Sequence, residues 1–238
     1  MRKMKRLNLI CLYLRMFVPS LWFNFKYLPF RQAVHLPILL YKPTFLKLSG
    51  SVVIESDKVS FGMIKLGMFT SAAYPNSGIT IRNYGQLVFK GICHVGNDTY
   101  IICGKHGKIV FGNDFRITCG VKIISECGIS FGEHVRFGWG GIAIDTNFHP
   151  LYDMEKEKFK KAFAPIIIGR NNWFGMNCLI MPGVSTPEYC IFGARTVVTR
   201  GGNYESYCVH GGSPIRVLSR NVKRIIGKDT VKNYTTMI

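Results

Sequence analysis

The sequence predicts an all-β solenoid built from hexapeptide turns. An apolar residue or glycine recurs at every sixth position across residues 111–198, and a short Gly-led phrase returns about once per coil. The beat is clearest at Ile168-Gly169, Phe174-Gly175, Ile180, Phe192-Gly193 and Val198. Upstream, Phe111-Gly112, Ile117, Ile123 and Ile129 keep it, then it slips by two residues and restarts at Phe131-Gly132 and Phe137-Gly138. A helix repeats at about 3.6 residues and a strand at about 2, so neither explains this period. One short strand and one corner per hexapeptide does, with the apolar residue inward and a small one at the turn. The phrases beginning at Gly85, Gly107 and Gly128 lie 22 (107 − 85) and 21 (128 − 107) residues apart. A triangular coil takes about 18 residues, so the extra residues of these early coils are expected in swollen corners.

The elements follow in order. Residues 1–43 form a separate basic, apolar segment, helical over 1–40. Leu7, Ile10, Cys11, Leu14, Phe17, Val18, Leu21, Trp22, Phe25 and Leu28 take the spacing of one helix face, and Pro19 and Pro29 are expected to divide the segment. A membrane span needs roughly 20 uninterrupted apolar residues, which Arg15, Pro19 and Lys26 interrupt. A signal peptide is not expected either, because no small-residue cleavage site follows the apolar run. Two compatible readings stand: a cap on the open end of the solenoid, or a helix lying in a membrane interface. The solenoid domain is expected over 44–218, opening with Phe45, Leu46, Leu48, Val52, Val53 and Ile54. Residues 150–164 mix Asp153, Glu155 and Glu157 with four lysines, fit no repeat, and read as a loop ejected from the prism. The tail, 219–238, is expected to hold a short C-terminal helix around Val222–Ile226.

Composition narrows the function. With 47% hydrophobic and 18% charged residues, the chain is not disordered. Eight cysteines include no C-x-x-C pair, which leaves a zinc site of ordinary spacing unsupported. They read as small buried apolar residues in a reducing, cytoplasmic compartment. The net charge of +18 is uneven: nine lysines and arginines precede Glu55, the first acidic residue. An anionic partner is implied, and without a nucleic-acid-binding signature that partner is lipid or a phosphorylated ligand, with no nucleic acid expected.

The chemistry concentrates at Asp145-Thr146-Asn147-Phe148-His149-Pro150, where a regular coil ends and the loop begins. His35, His94, His106 and His134 read as helical or corner residues. His149 differs by its neighbours: Asp145, a turn-forming proline and the ejected loop.

From here the sequence resembles the hexapeptide-repeat acyltransferases, and within them the maltose, galactoside and capsule or O-antigen sugar O-acetyltransferases. Three blocks carry the resemblance. Asp145–Pro150 is similar to the family's D-x-D-F-H-P segment, Ile168–Val184 to its I-G-x-x-x-W-I-G block, and Phe192–Arg200 with Gly212–Arg216 to its acetyl-coenzyme A segment. Thr186-Pro187 and Ser213 depart from the family pattern. The resemblance implies a left-handed parallel β-helix, a homotrimer with sites between neighbouring prisms, acetyl-CoA as co-substrate, and no metal. It makes His149 the catalytic base with Asp145 beside it, and it assigns coenzyme contacts to Trp173, Gly175, Gly193, Ala194, Thr199, Arg200 and Arg216.

That chemistry is physically sensible. An imidazole with a pKa of about 6.5 is mostly neutral near pH 7 and can take a proton from an attacking hydroxyl. Asp145 either holds the ring or caps a turn. Backbone N–H groups at Gly175 or Gly193 are candidates for an oxyanion site, Arg200 and Arg216 for the coenzyme phosphates, and Trp173 for a wall of the acceptor site. The expected acceptor is a saccharide hydroxyl on a lipid-linked or nascent chain in cell-surface polysaccharide synthesis, with peripheral contact at the inner face of the plasma membrane. A non-catalytic scaffold or membrane-surface module, or a small-molecule or amino-sugar acceptor, is the alternative. The zinc hydratases of this fold need a close histidine pair, whereas the smallest gap here is 12 (106 − 94).

Overall fold

The computed structural model describes residues 16–68 and 73–226. After helix α1 (residues 16–27 of the described chain) and the single turn α2 (Phe30–Ala33), the chain winds through successive three-strand coils. The first is β1 (Ile38–Leu40), β2 (Pro43–Leu48) and β3 (Ser51–Ile54); the second is β4 (Ile64–Leu66), β5 (Ile79–Asn83) and β6 (Gln86–Phe89). The third is β7 (Cys93–Val95), β8 (Thr99–Cys103) and β9 (Lys108–Phe111); the fourth is β10 (Phe115–Cys119), β11 (Lys122–Ser125) and β12 (Ile129–Phe131). In the fifth, β13 (Arg136–Trp139) and β14 (Ile142–Ile144) are separated from β17 (Ile166–Ile168) by a hairpin, β15 (Tyr152–Asp153) and β16 (Lys158–Phe159). Then come β18 (Trp173–Phe174), β19 (Leu179–Ile180) and β20 (Ser185–Thr186), followed by β21 (Ile191–Phe192) and β22 (Val197–Val198). The antiparallel pair β23 (Cys208–Gly211) and β24 (Arg216–Arg220) ends the prism.

First, second and third strands of each coil stack in parallel into three sheets, A, B and C, which form the prism walls. The register explains the uneven beat. On sheet C, Leu87, Ile109 and Ile129 are stacked, as are Phe89, Phe111 and Phe131, and all six point inward. Strands β3, β6, β9, β12 and β17 of this sheet therefore each have two inward positions two residues apart, and the slip is a step from one to the other. Cross-coil offsets on this wall are 22 (109 − 87), 20 (129 − 109), 37 (166 − 129, the coil with the hairpin) and 18 (185 − 167). Part of the early excess lies in longer strands: β8 and β10 have five residues, where β18 to β22 have two each. Swollen corners alone do not account for it.

Stacking like on like fills the interior. Phe89 and Phe111 lie 5.0 Å apart, and Phe137, Phe174 and Phe192 form a ladder at 4.7 Å spacing. His210 continues that ladder at 5.4 Å and is buried, its ring held by the Glu205 carbonyl. Offset aromatic stacks of this kind add to area burial. The corner before sheet A places Asp114, His134, Asn171, Tyr189 and Tyr207 in the left-handed region, coil after coil. At the A–B corner Gly138, Gly175 and Gly193 come in a column. A Cβ on Gly175 would sit 2.8 Å from the Ala194 backbone nitrogen, whereas one on Gly193 would meet nothing closer than 3.5 Å.

The N-terminal helix meets the first coil of the prism with its polar side, not with its apolar stripe. Ser20 Oγ accepts the Leu40 N–H at 2.9 Å, and the Asn24 side chain both accepts from Ile38 N at 3.1 Å and donates to Ile38 O at 2.7 Å. Tyr27 donates to Leu48 O and Gln32 to Ile54 O. The first strand of every sheet thus receives a side chain on its otherwise open edge. Phe23, Leu28 and Ala33 join the core, while Phe17, Val18, Leu21, Trp22 and Phe25 of the expected face remain exposed. Leu7, Ile10, Cys11 and Leu14 lie outside the described residues. Three expectations change. Pro19 lies within helical residues and does not divide them. Ile38–Leu40 is a strand, because it pairs with Ile64–Leu66, so the prism opens before residue 44. Val222–Ile226 forms no helix; the chain leaves β24 as coil, and residues 227–238 lie outside the described region.

Two measurements follow. Asp114 receives Arg136, His134 and Arg116. Burial works to raise its carboxyl pKa, but the hydrogen bonds from these three outweigh it and hold it at about 2. An unfolded aspartate titrates at about 3.9, so this stabilisation is complete above that pH and disappears as pH falls toward the folded value. Asp114→Asn leaves Arg136, 7% exposed, without its counter-charge, and should cost about 3 kcal/mol at neutral pH. Denaturant titrations should show that cost at neutral pH and a shallower acid limb below about pH 4. In the glycine column, Gly175→Ala should cost about 1–3 kcal/mol, with Gly193→Ala within about 0.5 kcal/mol of the parent; equal thermal shifts would contradict the spacing described.

Candidate active site

The ejected loop is built on Asp145. This side chain is fully buried, and its carboxylate accepts Ser125 Oγ at 2.6 Å and the backbone N–H groups of Glu126, Cys127 and Gly128 at 2.7, 3.1 and 2.6 Å. It ties the B–C corner of the preceding coil. Asp145 therefore serves as a turn cap across coils, and its carboxylate oxygens are turned to that corner, not to His149. Its backbone begins the hairpin: Ala164 N donates to Asp145 O at 2.9 Å, Asn147 N donates to Ala162 O at 2.7 Å, and Thr146 bridges Phe163. The Thr146 hydroxyl accepts the Phe148 N–H at 2.9 Å, with Phe148 in the left-handed region, and the chain then delivers His149 to the surface. Beyond it, Tyr152 packs edge-on to Phe159 at 5.1 Å, Asp153 caps the turn through Glu155 N and Lys156 N, and Lys160 pairs with Asp153 at 3.3 Å. The segment expected as a loop is an ordered antiparallel hairpin.

The expected site residues fall on two different corners. His149, Thr199 and Arg200 share the B–C corner. Gly183 N donates to Ala164 O at 3.0 Å, and the Arg200 stem lies against Gly183, where an added Cβ would meet its Cδ at 2.9 Å. The Tyr204 hydroxyl both accepts the Thr199 N–H and donates to the Thr199 carbonyl, at 2.9 and 2.6 Å, which fixes this turn. Gly175, Gly193 and Ala194 lie on the A–B corner, and Arg216 joins them because it pairs with Gly211, which follows the column. Ala194 and Arg216 are exposed. Sheet B separates the two groups within one chain.

One assignment changes with this geometry. The Gly175 and Gly193 N–H groups donate to Phe192 O and His210 O, both at 2.8 Å, so neither is available to an oxyanion. Trp173 lies on the outer face of sheet A between Arg136 and Ile191, with the Arg224 guanidinium 4.8 Å above its ring. It is not on the corner of His149. Sequence reasoning missed Ser125, Tyr204 and Arg224, whose roles depend on partners 20, 5 and 51 residues away along the chain (145 − 125, 204 − 199, 224 − 173).

The other titratable groups read as structural. Burial raises the thiol pKa of Cys103, Cys127 and Cys178 to about 11 and that of Cys190 to about 12, and all the described cysteines are free. Thiols held this high are poor nucleophiles near neutral pH. Burial, with Arg116 and Lys65 nearby, lowers His94 to about 4. Among the described residues, no cluster of His, Cys, Asp and Glu has the arrangement of a metal site.

No family model matches the chain. It is 27% identical over 123 residues to the polysialic acid O-acetyltransferase of Escherichia coli O1:K1 / APEC, a match covering 51% of this chain and 39% of that one. It is 27% identical over 154 residues to the galactoside O-acetyltransferase of Lactococcus lactis subsp. lactis (strain IL1403), covering 63% and 70%. The crystal structure of the polySia-specific acetyltransferase NeuO superposes with a TM-score of 0.50 at 18% identity, over 82% of this chain and 85% of that one. The latter likeness speaks to fold, which is the left-handed parallel β-helix, a hand opposite to the usual crossover rule. In sequence the chain is similar to sugar O-acetyltransferases, and in fold to a β-helical acetyltransferase structure.

Proposed function

We propose that the protein is an acetyl-CoA-dependent O-acetyltransferase that modifies a saccharide hydroxyl in cell-surface polysaccharide synthesis, with His149 as its general base. The observation that carries this reading is the exposed His149 at the foot of an ordered hairpin, in a segment similar to the family's catalytic one. The acceptor hydroxyl donates its proton to the imidazole as its oxygen attacks the acyl carbon, the C–S bond of the thioester then breaks, and the coenzyme leaves as its thiol with the proton returned by the imidazole, a role worth roughly 10²–10⁴ in rate. Acetyl-CoA supplies that acyl carbon as an activated thioester. Asp145 acts as a positioning residue: its carboxylate anchors the base of the hairpin that carries His149 to the corner of the preceding coil. Arg200 lies on the same corner and Arg216 on the other, and each presents a planar fork suited to phosphate.

The separation of these corners supports a homotrimer. A site that needs both groups is incomplete in one prism and complete where the B–C corner of one chain meets the A–B corner of the next. The acceptor is proposed to be a lipid-linked or nascent saccharide reached from the cytoplasmic side, consistent with the excess of basic residues before Glu55.

His149→Ala should lower kcat by about 10²-fold or more with no change in thermal unfolding, measured as acetyl-CoA turnover against a panel of nucleotide sugars and lipid-linked oligosaccharides. Near-normal turnover would remove the base assignment. Absence of turnover by the parent protein on every acceptor would favour the scaffold alternative. Arg216→Ala should raise KM for acetyl-CoA and matter less for a donor lacking the 3′-phosphate. Co-refolding the two single variants should restore activity in mixed trimers, since some interfaces then carry both intact residues; no recovery would place each site within one chain.

A further inference from the structure

We propose that α1 and α2 form a docking surface for an anionic lipid bilayer, held outward by the prism. The reading does not rest on acetyl transfer. A helix advances about 100° per residue, so Phe17, Val18, Leu21, Trp22 and Phe25 fall in one arc roughly 140° wide. The opposite arc, with Ser20, Phe23 and Asn24, is committed to the prism edge. The exposed arc is therefore not a cap waiting for its core. These five side chains are 38–58% exposed, and Phe30 of α2, 73% exposed, extends the patch with its ring 6.1 Å from that of Phe25. Large aromatic and aliphatic residues grouped on one surface mark an interaction site.

Charge decides what occupies it. Lys26 and Arg31 border the patch, both exposed, with the Lys26 ammonium 4.7 Å over the Trp22 ring. In the sequence, Arg2, Lys3, Lys5, Arg6 and Arg15 precede the patch, and no acidic residue comes before Glu55. A second copy would bring the same unbroken positive charge and be repelled. An anionic bilayer matches both features: an apolar arc seats at the headgroup boundary with a cationic rim against phosphate. No described helix is long and apolar enough to cross a membrane, and the one-sided apolar arc suits a contact that lies on the surface. The Ser20 and Asn24 hydrogen bonds fix the orientation, so docking needs no rearrangement of the prism.

The test uses full-length protein and co-sedimentation with extruded phosphatidylcholine vesicles, with and without phosphatidylserine. Binding should be at least about 10-fold tighter with the anionic lipid and should weaken as salt rises. The double variant Phe25→Ser/Phe30→Ser should bind at least about 10-fold more weakly, with unchanged thermal unfolding and acetyl transfer to a soluble acceptor. Changing Arg2, Lys3, Lys5 and Arg6 to Gln should weaken binding by about 100-fold or more. No binding to anionic vesicles, equal binding to neutral ones, or unaltered binding by the Phe25/Phe30 variant would overturn the proposal. So would a shift to a smaller species by that variant in analytical ultracentrifugation, which would assign the patch to a second copy of the chain.

Discussion

The structure depends on hydrogen bonding between coils. Within a coil, successive strands lie on different walls and do not pair; each strand is held by those one coil before and after it. The position of each side chain in the parallel walls is thus set by the register with a residue 18–37 positions away. Once that register is fixed, like residues stack on like. Phenylalanines form an internal ladder, left-handed residues line the corners, and glycines come where backbones meet most closely. An error of one residue would turn inward side chains outward along a whole wall.

Such a scheme has weak points at its ends, where a strand has a neighbour on one side only. At the first coil α1 and α2 supply Ser20, Asn24, Tyr27 and Gln32 to the three open edges. At the other end β24 folds back antiparallel on β23, with His210 and Tyr204 closing the aromatic ladder. The two ends are closed by different means because one is made by side chains of a helix and the other by backbone.

The same register divides the chemistry. A residue's place along the coil decides its corner, so the hairpin with His149 emerges at B–C while the glycine column and Arg216 sit at A–B. Asp145 shows how the two requirements interact. Its backbone opens the hairpin, and its buried carboxylate holds the previous coil's corner through four hydrogen bonds. A charged-group acceptor with several backbone donors is a strong anchor, which suits a coil that must carry an insertion without losing register.

The sequence by itself determined the solenoid, the insertion at 150–164 and the exit of His149 beside it. Each of these is local: an inward apolar residue every sixth position is demanded by the sterics of a narrow prism, and a stretch that breaks the beat must leave it. It determined less about the ends, where Ile38–Leu40 read as helix because an apolar triplet shows no period of its own. The tertiary structure alone decided that Asp145 faces Ser125 and the next three residues, that the Gly175 and Gly193 N–H groups are already engaged, and that the apolar stripe of α1 faces outward while Ser20 and Asn24 face in. The reason is that open strand edges need hydrogen-bonding side chains more than they need apolar ones, and that cross-coil partners are set by coil lengths, which no six-residue pattern contains.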